Sequence, residues 1–177
     1  MERLSPGLQT LLGEPAFCQV ATLLPDGSPH LTQVWVSTDG EHVLVNTYEG
    51  AQKLRNIRRD PRVAVNVVDP GNAWRLAHVR GQVVDVTTEG ADEHIDELAK
   101  KYLGVDSYPF RQPGQVRVKV TIAPEHINEI GLWTRLASHP LRQGPHVALL
   151  GYKTGAGLLN PADVTLAHPA TRWPGAV

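Results

Sequence analysis

The sequence predicts a mainly β protein of the α+β class: a small antiparallel barrel of about six strands with short flanking helices. Short runs of alternating apolar and polar residues are separated by Gly, Pro, Asn and Asp turn signals. Most of these runs are sequence-adjacent pairs, which favours antiparallel pairing over a parallel sheet. With 177 residues, 41% of them hydrophobic, the chain has enough apolar side chains for the core of a compact domain.

The first predicted element is a short helix near the N-terminus. Ser5 is a favourable N-cap, and Pro6 suits the first helical position because proline lacks an N–H group there. Leu8, Leu11 and Leu12 have the spacing of an apolar stripe on one helix face.

Three strand signals follow the helix and predict a β-meander: Phe17–Leu24, Pro29–Thr38 and Glu41–Thr47. Because side chains alternate across a strand, one face of the second strand is apolar. Its opposite face carries Leu31, Gln33, Trp35 and Ser37, a polar yet aromatic set that does not resemble a simple core.

The middle of the chain alternates helices and strands. Gly50–Asp60 and Ala91–Leu103 have helical spacing, and Gly81 marks an expected bulge in a long strand. The predicted strands of this part are Arg62–Val68, Trp74–Thr88 and Gln115–Ile122.

The chain divides by composition into a domain at 1–133 and an extension at 134–177. The extension carries four basic residues against Asp163 alone, together with five prolines and five glycines. We expect it to be irregular, with one short strand at His146–Leu150, and dispensable for ligand binding.

Several protein classes are disfavoured by composition. A lone Cys18 forms no intramolecular disulfide, and no Cys/His cluster has metal-site spacing, so we expect a cytoplasmic protein without a metal. We also expect no signal peptide and no membrane helix. A net charge of −1 gives no overall attraction to nucleic acid.

The clearest candidate site is a basic helix, with five cations between Lys53 and Arg62. Free N–H groups at a helix start and adjacent Lys or Arg side chains bind phosphate. The alternative is a solvated helix face whose cations pair with Asp60 or Glu49. Nucleic-acid binding is a third interpretation of the basic helix. It is disfavoured because the rest of the domain is acidic and no aromatic stacking platform is evident.

These motifs resemble the split-barrel flavin and deazaflavin oxidoreductases related to pyridoxamine 5′-phosphate oxidase, and among them the coenzyme F420 subfamily. The resemblance spans about residues 4–131. Its motifs are Ala21–Leu23 with Asp26–Pro29, Gln33–Trp35, Lys53–Arg62, and Trp74–Arg75 leading to Val79–Gly81.

The resemblance implies a homodimer of split β-barrels with a cofactor at each end of the subunit interface. It assigns Lys53 to the cofactor phosphate and Thr47 to the chain that joins the phosphate to the ring. Gln33, Val34 and Trp35 are expected along the ring.

The resemblance also implies that Trp74 and Arg75 reach the cofactor of the partner subunit. One departure concerns Ala51, which stands where relatives usually have an arginine. A lost charge-assisted bond costs about 1.5–3 kcal/mol unless Arg55 or Arg58 replaces it.

The implied activity is hydride transfer between coenzyme F420 and a small unsaturated organic substrate, with no acid, base or nucleophile identified. Two alternatives remain open: an FMN-dependent oxidase or reductase, and a non-catalytic protein that binds a cofactor or haem. Tyr108 and Phe110 either line a substrate mouth or pack on the barrel. Without the resemblance, Trp35 and Trp74 are ordinary core or interface aromatics.

Overall fold

A computed structural model describes residues 2–132, which form one seven-stranded antiparallel sheet and three helices. The helices are α1 (Pro6–Gly13), α2 (Gln52–Arg59) and α3 (Ala91–Leu103). The strands are β1 (Phe17–Leu23), β2 (Pro29–Val34), β3 (Val36–Thr38), β4 (Val43–Tyr48), β5 (Arg62–Asp69), β6 (Asn72–Thr87) and β7 (Arg117–Ile130). The predicted extension at 134–177, including His146–Leu150, lies outside the described residues.

The order of the strands explains how the sheet becomes a barrel. It is β2-β1-β5-β6-β7-β4-β3, so the two edge strands are consecutive in the chain and separated by Trp35 alone. The predicted single strand Pro29–Thr38 is therefore two strands, of which the first pairs with β1 and the second with β4. The mainly β fold and antiparallel pairing are confirmed, with seven strands rather than six.

The barrel interior is built largely from valines on neighbouring strands. Val65 is directly opposite Val20 on β1 and Val79 on β6, and all three are buried. Such cross-strand pairs stabilise a sheet because β-branched side chains pack closely on one face. A second buried row consists of Val36, Val45 and Val120.

Each helix closes a different part of the barrel. The predicted cap of α1 is confirmed, since Ser5 Oγ accepts a hydrogen bond from the N–H of Leu8 at 3.1 Å. The buried leucines of α1 pack near β3 and β5. Helix α2 lies on β1, where Asn56 Nδ2 donates to Thr22 Oγ1 at 3.0 Å. Helix α3 has its predicted bounds and packs near β4 and β7.

The last strand is longer than predicted, because Pro124 does not end it. The pairing register of β6 and β7 shifts beside Gly81, as expected for a bulge, and Pro124 lies opposite that glycine. Proline is tolerated at a bulge because the hydrogen-bond ladder is already interrupted there. A Cβ atom on Gly81 would lie 2.1 Å from the Ala123 carbonyl oxygen, so the bulge requires glycine.

The described residues contain neither a membrane-spanning helix nor a metal-binding cluster. Over residues 2–132, no helix has the length and apolar character needed to cross a membrane. Within the same part of the chain, no group of three or more His, Cys, Asp or Glu side chains is placed to hold a metal ion.

Candidate functional site

A cavity of about 280 Å³ lies where the break between β2 and β3, the end of β4, the start of α2 and the loop after α3 meet. It brings together five of the nine predicted cofactor residues: Gln33, Val34, Trp35, Thr47 and Lys53. The other lining residues are Asn46, Tyr48, Ile95, Tyr108, Phe110 and Arg117. None of these eleven side chains is acidic.

Lys53 brings a positive charge to the cavity from the first turn of α2. The helix is held on the barrel by the buried side chains Leu54, Asn56 and Ile57. Burial lowers the pKa of Lys53, and the nearby charge of Arg117 lowers it further. Among residues 2–132, Lys53 forms no ion pair with a carboxylate, so its ammonium group is available to an anion.

Thr47 contributes a buried hydroxyl group at the end of β4. The residue is 2% exposed, and its Oγ1 atom has no hydrogen-bond partner among the described residues. An unpartnered buried hydroxyl is unfavourable unless a ligand or water bonds to it. This orphaned atom fits a ligand with polar groups near Lys53.

Aromatic rings form one wall of the cavity. The Trp35 ring stacks on Tyr102, with centroids 5.2 Å apart, and meets the edge of Tyr108 at 5.8 Å. Tyr108 also contacts Phe110 edge to face at 5.6 Å. The Tyr108 N–H donates to Asp96 Oδ1 at 2.7 Å, which ties this loop to α3. Such a wall suits a flat organic ring.

Sequence reasoning missed Arg117, which begins β7 and is 7% exposed. Its Nε and Nη2 atoms both donate to Asn46 Oδ1, at 2.8 and 2.5 Å. Its guanidinium carbon lies 5.2 Å from the centre of the Tyr108 ring. Burial lowers the pKa of Arg117, and no carboxylate pairs with it among residues 2–132.

Asn46 belongs to a hydrogen-bonded chain whose direction is determined chemically. Because arginine donates only, the amide oxygen of Asn46 faces Arg117 and its Nδ2 group donates to Ala91 O and His94 Nδ1. His94 is then protonated at Nε2, which donates to Ser37 Oγ at 2.8 Å. Burial and nearby cations lower the pKa of His94 to about 4, so it is neutral at pH 7.

Most of the sequence matches the model of a known protein family. Residues 4–131, more than two thirds of the chain, match the family described as pyridoxamine 5′-phosphate oxidase. The chain belongs to the pyridoxamine 5′-phosphate oxidase family. The family resemblance inferred from the motifs is therefore confirmed, together with the split-barrel fold.

The chain is also similar to several solved structures. An F420 reductase is 31% identical, with a TM-score of 0.62 over 71% of this chain and 98% of that chain. A conserved hypothetical protein from Mycobacterium tuberculosis is 24% identical, with a TM-score of 0.55 over 72% and 84% of the two chains. General stress protein 26 from Bacillus anthracis is 17% identical, with a TM-score of 0.53 over 70% and 91%. The last two show the fold alone.

The two arginines that were expected to replace the charge missing at Ala51 lie on the outer side of α2. Arg58 donates to both carboxylate oxygens of Glu49, at 2.8 and 2.5 Å, and half of its side chain is exposed. Arg55 donates to Gln52 Oε1 and to the carbonyl oxygen of Gly50. Neither lines the cavity, so the solvated-face alternative describes these two arginines.

Trp74 and Arg75, which the resemblance assigns to the cofactor of the partner subunit, also lie outside the cavity of their own chain. Trp74 is 68% exposed. Arg75 Nη1 pairs with Glu14 at 2.5 Å and with Asp69 at 2.8 Å. Their expected contact with a partner subunit stays a prediction.

The cavity fits a cofactor of the pyridoxamine 5′-phosphate oxidase family in three respects. Lys53 has no competing carboxylate, Thr47 Oγ1 lacks a partner, and the ring of Trp35 borders the same space. A phosphorylated ligand with a flat ring needs these groups: a cation for the phosphate, a hydroxyl for the polar chain and an aromatic surface.

Proposed function

We propose that the protein is a coenzyme F420-dependent oxidoreductase that transfers a hydride between the cofactor and a small unsaturated organic substrate. One observation carries the proposal: a structure named as an F420 reductase is 31% identical and is covered over 98% of its length. Family membership alone supports the broader statement that the chain has the fold of flavin-binding and related oxidoreductases.

The cavity supports this proposal through the residues that would hold the cofactor. Lys53 would bind the phosphate, and Thr47 Oγ1 would bond to the polar chain beside it. Gln33, Val34 and Trp35 would lie along the ring. When bound, the deazaflavin supplies the hydride chemistry, while the protein orients both reactants and excludes water.

The substrate would enter beside the cofactor through the aromatic loop. Phe110 is 63% exposed and contacts Tyr108, which in turn contacts Trp35 inside the cavity. A small planar molecule suits this arrangement because ring edges and faces pack closely. No lining residue is a carboxylic acid or histidine, which suits hydride transfer better than acid–base hydrolysis.

The proposal includes a homodimer, because the cavity of one subunit would enclose only part of a large cofactor. The cavity of about 280 Å³ is slightly smaller than the ~300–1,000 Å³ that enclose a drug-sized ligand. The exposed Trp74 is available to cover the cofactor of a partner subunit. The lone Cys18 is the reason for placing this activity in the cytoplasm.

Separate titrations with coenzyme F420 and FMN test the proposal, with ligand fluorescence as the readout. We expect micromolar or tighter binding of coenzyme F420, at least about tenfold tighter than FMN. Tight binding of FMN without binding of coenzyme F420 would contradict the proposed cofactor.

FMN is the second candidate because the matching family is described as pyridoxamine 5′-phosphate oxidase. Its phosphate and flat ring would use the same side chains. A chromophore that copurifies with the protein at one molecule per subunit, and that mass spectrometry identifies as FMN, would favour this candidate over coenzyme F420.

A further inference from the structure

Arg117 has more hydrogen-bond donors than its surroundings use. Of its five N–H donors, two are directed to Asn46 Oδ1 and one to Gln115 Oε1 at 3.5 Å. Two N–H groups have no acceptor among residues 2–132. The residue is 7% exposed and lines the cavity, so these donors border the space in which a ligand would lie.

The guanidinium group is also held in a defined position. Tyr48 is directly opposite Arg117 in the β4–β7 ladder, and Asn46 is its diagonal neighbour on the same sheet face. Asn46 is fixed in turn by Ala91 O and His94 Nδ1. Because the guanidinium plane is fixed before binding, an anion that meets it requires little reordering.

Two cations without acidic partners line the same cavity. Lys53 and Arg117 repel each other, and the pKa of each is lowered, chiefly by burial. A purely structural arginine would be expected to pair with a carboxylate in such surroundings. An oxyanion between the two cations would offset their repulsion and would accept hydrogen bonds from the unused N–H groups of Arg117.

We propose that Arg117 is the second residue that binds the cofactor phosphate, together with Lys53, and that Asn46 is its positioning residue. This assignment rests on the proposed function, which places a phosphorylated cofactor in the cavity. Arg117 would then provide, from β7, the positive charge that the family resemblance leads one to expect at Ala51, the N-cap of α2.

The dephospho analogue of coenzyme F420, which ends at the ribityl chain, separates phosphate recognition from ring recognition. We expect Arg117→Met to weaken binding of coenzyme F420 about tenfold or more, and binding of the dephospho analogue less than about threefold. FMN and riboflavin provide the same comparison if FMN is the ligand that binds. The proposal would be overturned if Arg117→Met weakened binding of the phosphorylated and the dephosphorylated ligand equally. It would also be overturned if binding of the phosphorylated ligand were unchanged.

Two further variants test the positioning role of Asn46 and the effect of net charge. Asn46→Asp nearly preserves side-chain size and gives Arg117 a carboxylate partner, so it should produce the same selective loss without removal of the arginine. Lys119→Met removes one positive charge from the same strand at a residue that does not line the cavity. It should leave both affinities within about twofold of the wild type. Thermal unfolding verifies that each variant is folded.

Inorganic phosphate tests the anion site without any cofactor. At constant ionic strength, phosphate should raise the unfolding temperature of the wild type and of Lys119→Met above that in chloride, but not that of Arg117→Met. Phosphate stabilisation without binding of coenzyme F420 or FMN would overturn the proposed function and support the anion site. Unchanged cofactor affinity in folded Arg117→Met would overturn the role of Arg117 and leave the proposed function intact.

Discussion

The ring of Trp35 lies nearly parallel to the ring of Tyr102, with the planes inclined by 8° and the centroids 5.2 Å apart. The two residues are far apart in sequence, since Trp35 stands at the break between β2 and β3 and Tyr102 near the end of α3. The Tyr102 hydroxyl accepts from Val36 N–H at 3.3 Å and donates to Ala16 O at 2.8 Å. Helix α3 thereby holds the indole that borders the cavity.

The hydroxyl group of Tyr102 should contribute mainly to stability, and its ring mainly to cofactor binding. Tyr102→Phe removes two partly buried hydrogen bonds but keeps the stacked ring, so it should reduce the free energy of unfolding by about 1–3 kcal/mol. Cofactor affinity should change less than about twofold. Tyr102→Leu also removes the ring and should weaken cofactor binding. Urea unfolding and ligand titration measure the two effects, and equal affinities in both variants would contradict this division.

Lys53 and Arg58 provide a matched pair on one helix. Lys53→Ala removes the cation that lines the cavity and should weaken cofactor binding at least about tenfold. Arg58→Ala removes a cation that pairs with Glu49 outside the cavity and should change affinity less than about twofold. Fluorescence titration of each variant measures the affinities. The reverse ranking would mean that the phosphate binds on the outer face of α2.

His94 should make stability depend on pH below neutrality. Its pKa is about 4 in the folded protein, against 6.5 for an ordinary histidine side chain, so the unfolded chain binds a proton first as pH falls. Stability from neutral His94 is therefore complete above pH 6.5 and lost between pH 6.5 and 4, by about 3 kcal/mol. Urea unfolding measures the free energy of unfolding of the wild type and of His94→Gln. The difference between the two should become smaller as pH falls from 6.5 to 4. If the free energies of unfolding of the two proteins depend on pH in the same way, the lowered pKa of His94 is disproved.

The bulge at Gly81 should not accept a side chain. A Cβ atom there would lie 2.1 Å from Ala123 O, so Gly81→Ala should destabilise the fold by about 1–3 kcal/mol or more. Gly13 has no atom within 4 Å of a Cβ position, and Gly13→Ala is the control, with a neutral or stabilising effect. Urea unfolding of both variants distinguishes the positions, and a tolerated Gly81→Ala would mean that β6 and β7 can separate at the bulge.

Mixed dimers test whether Trp74 acts across a subunit interface. Lys53→Ala and Trp74→Ala should each bind cofactor weakly as homodimers. If Trp74 serves the partner's site, random mixing after unfolding and refolding restores about a quarter of the sites, because half of the dimers are mixed and each contains one intact site. Titration measures the restored fraction. A mixture that binds no better than its components would place Trp74 in its own subunit's site or in none.

The sequence allowed most of the fold to be predicted, because the main signals are local. The cap at Ser5, the bounds of α3 and the bulge at Gly81 depend on neighbours within a few residues. The predicted bounds of two strands were wrong, because pairing with distant strands determines where these strands begin and end. The strand at Pro29–Thr38 is broken at Trp35 because its two halves pair with different strands, and β7 continues through Pro124 because the bulge accommodates it.

The candidate site was predictable where the motif and the local pattern agreed. Lys53 and Trp35 belong to the recognised motifs, the resemblance assigns Thr47 by its position in the third predicted strand, and all three line the cavity. Arg55 and Arg58 belong to the same basic run, yet they face away from the cavity. The five cations between Lys53 and Arg62 look alike in a sequence. The orientation of α2 on β1 places Lys53 at the cavity and leaves Arg55 and Arg58 outside it.

The sequence by itself determined the barrel class, the helix ends and the basic segment at the start of α2, since these depend on alternation, caps and composition over short stretches. The tertiary structure alone decided which charges face the cavity. Arg117 and Asn46 are 71 residues apart in the chain and become neighbours only because β7 pairs with β4. A single sequence contains no signal for that pairing, because its energy comes from contacts between distant segments.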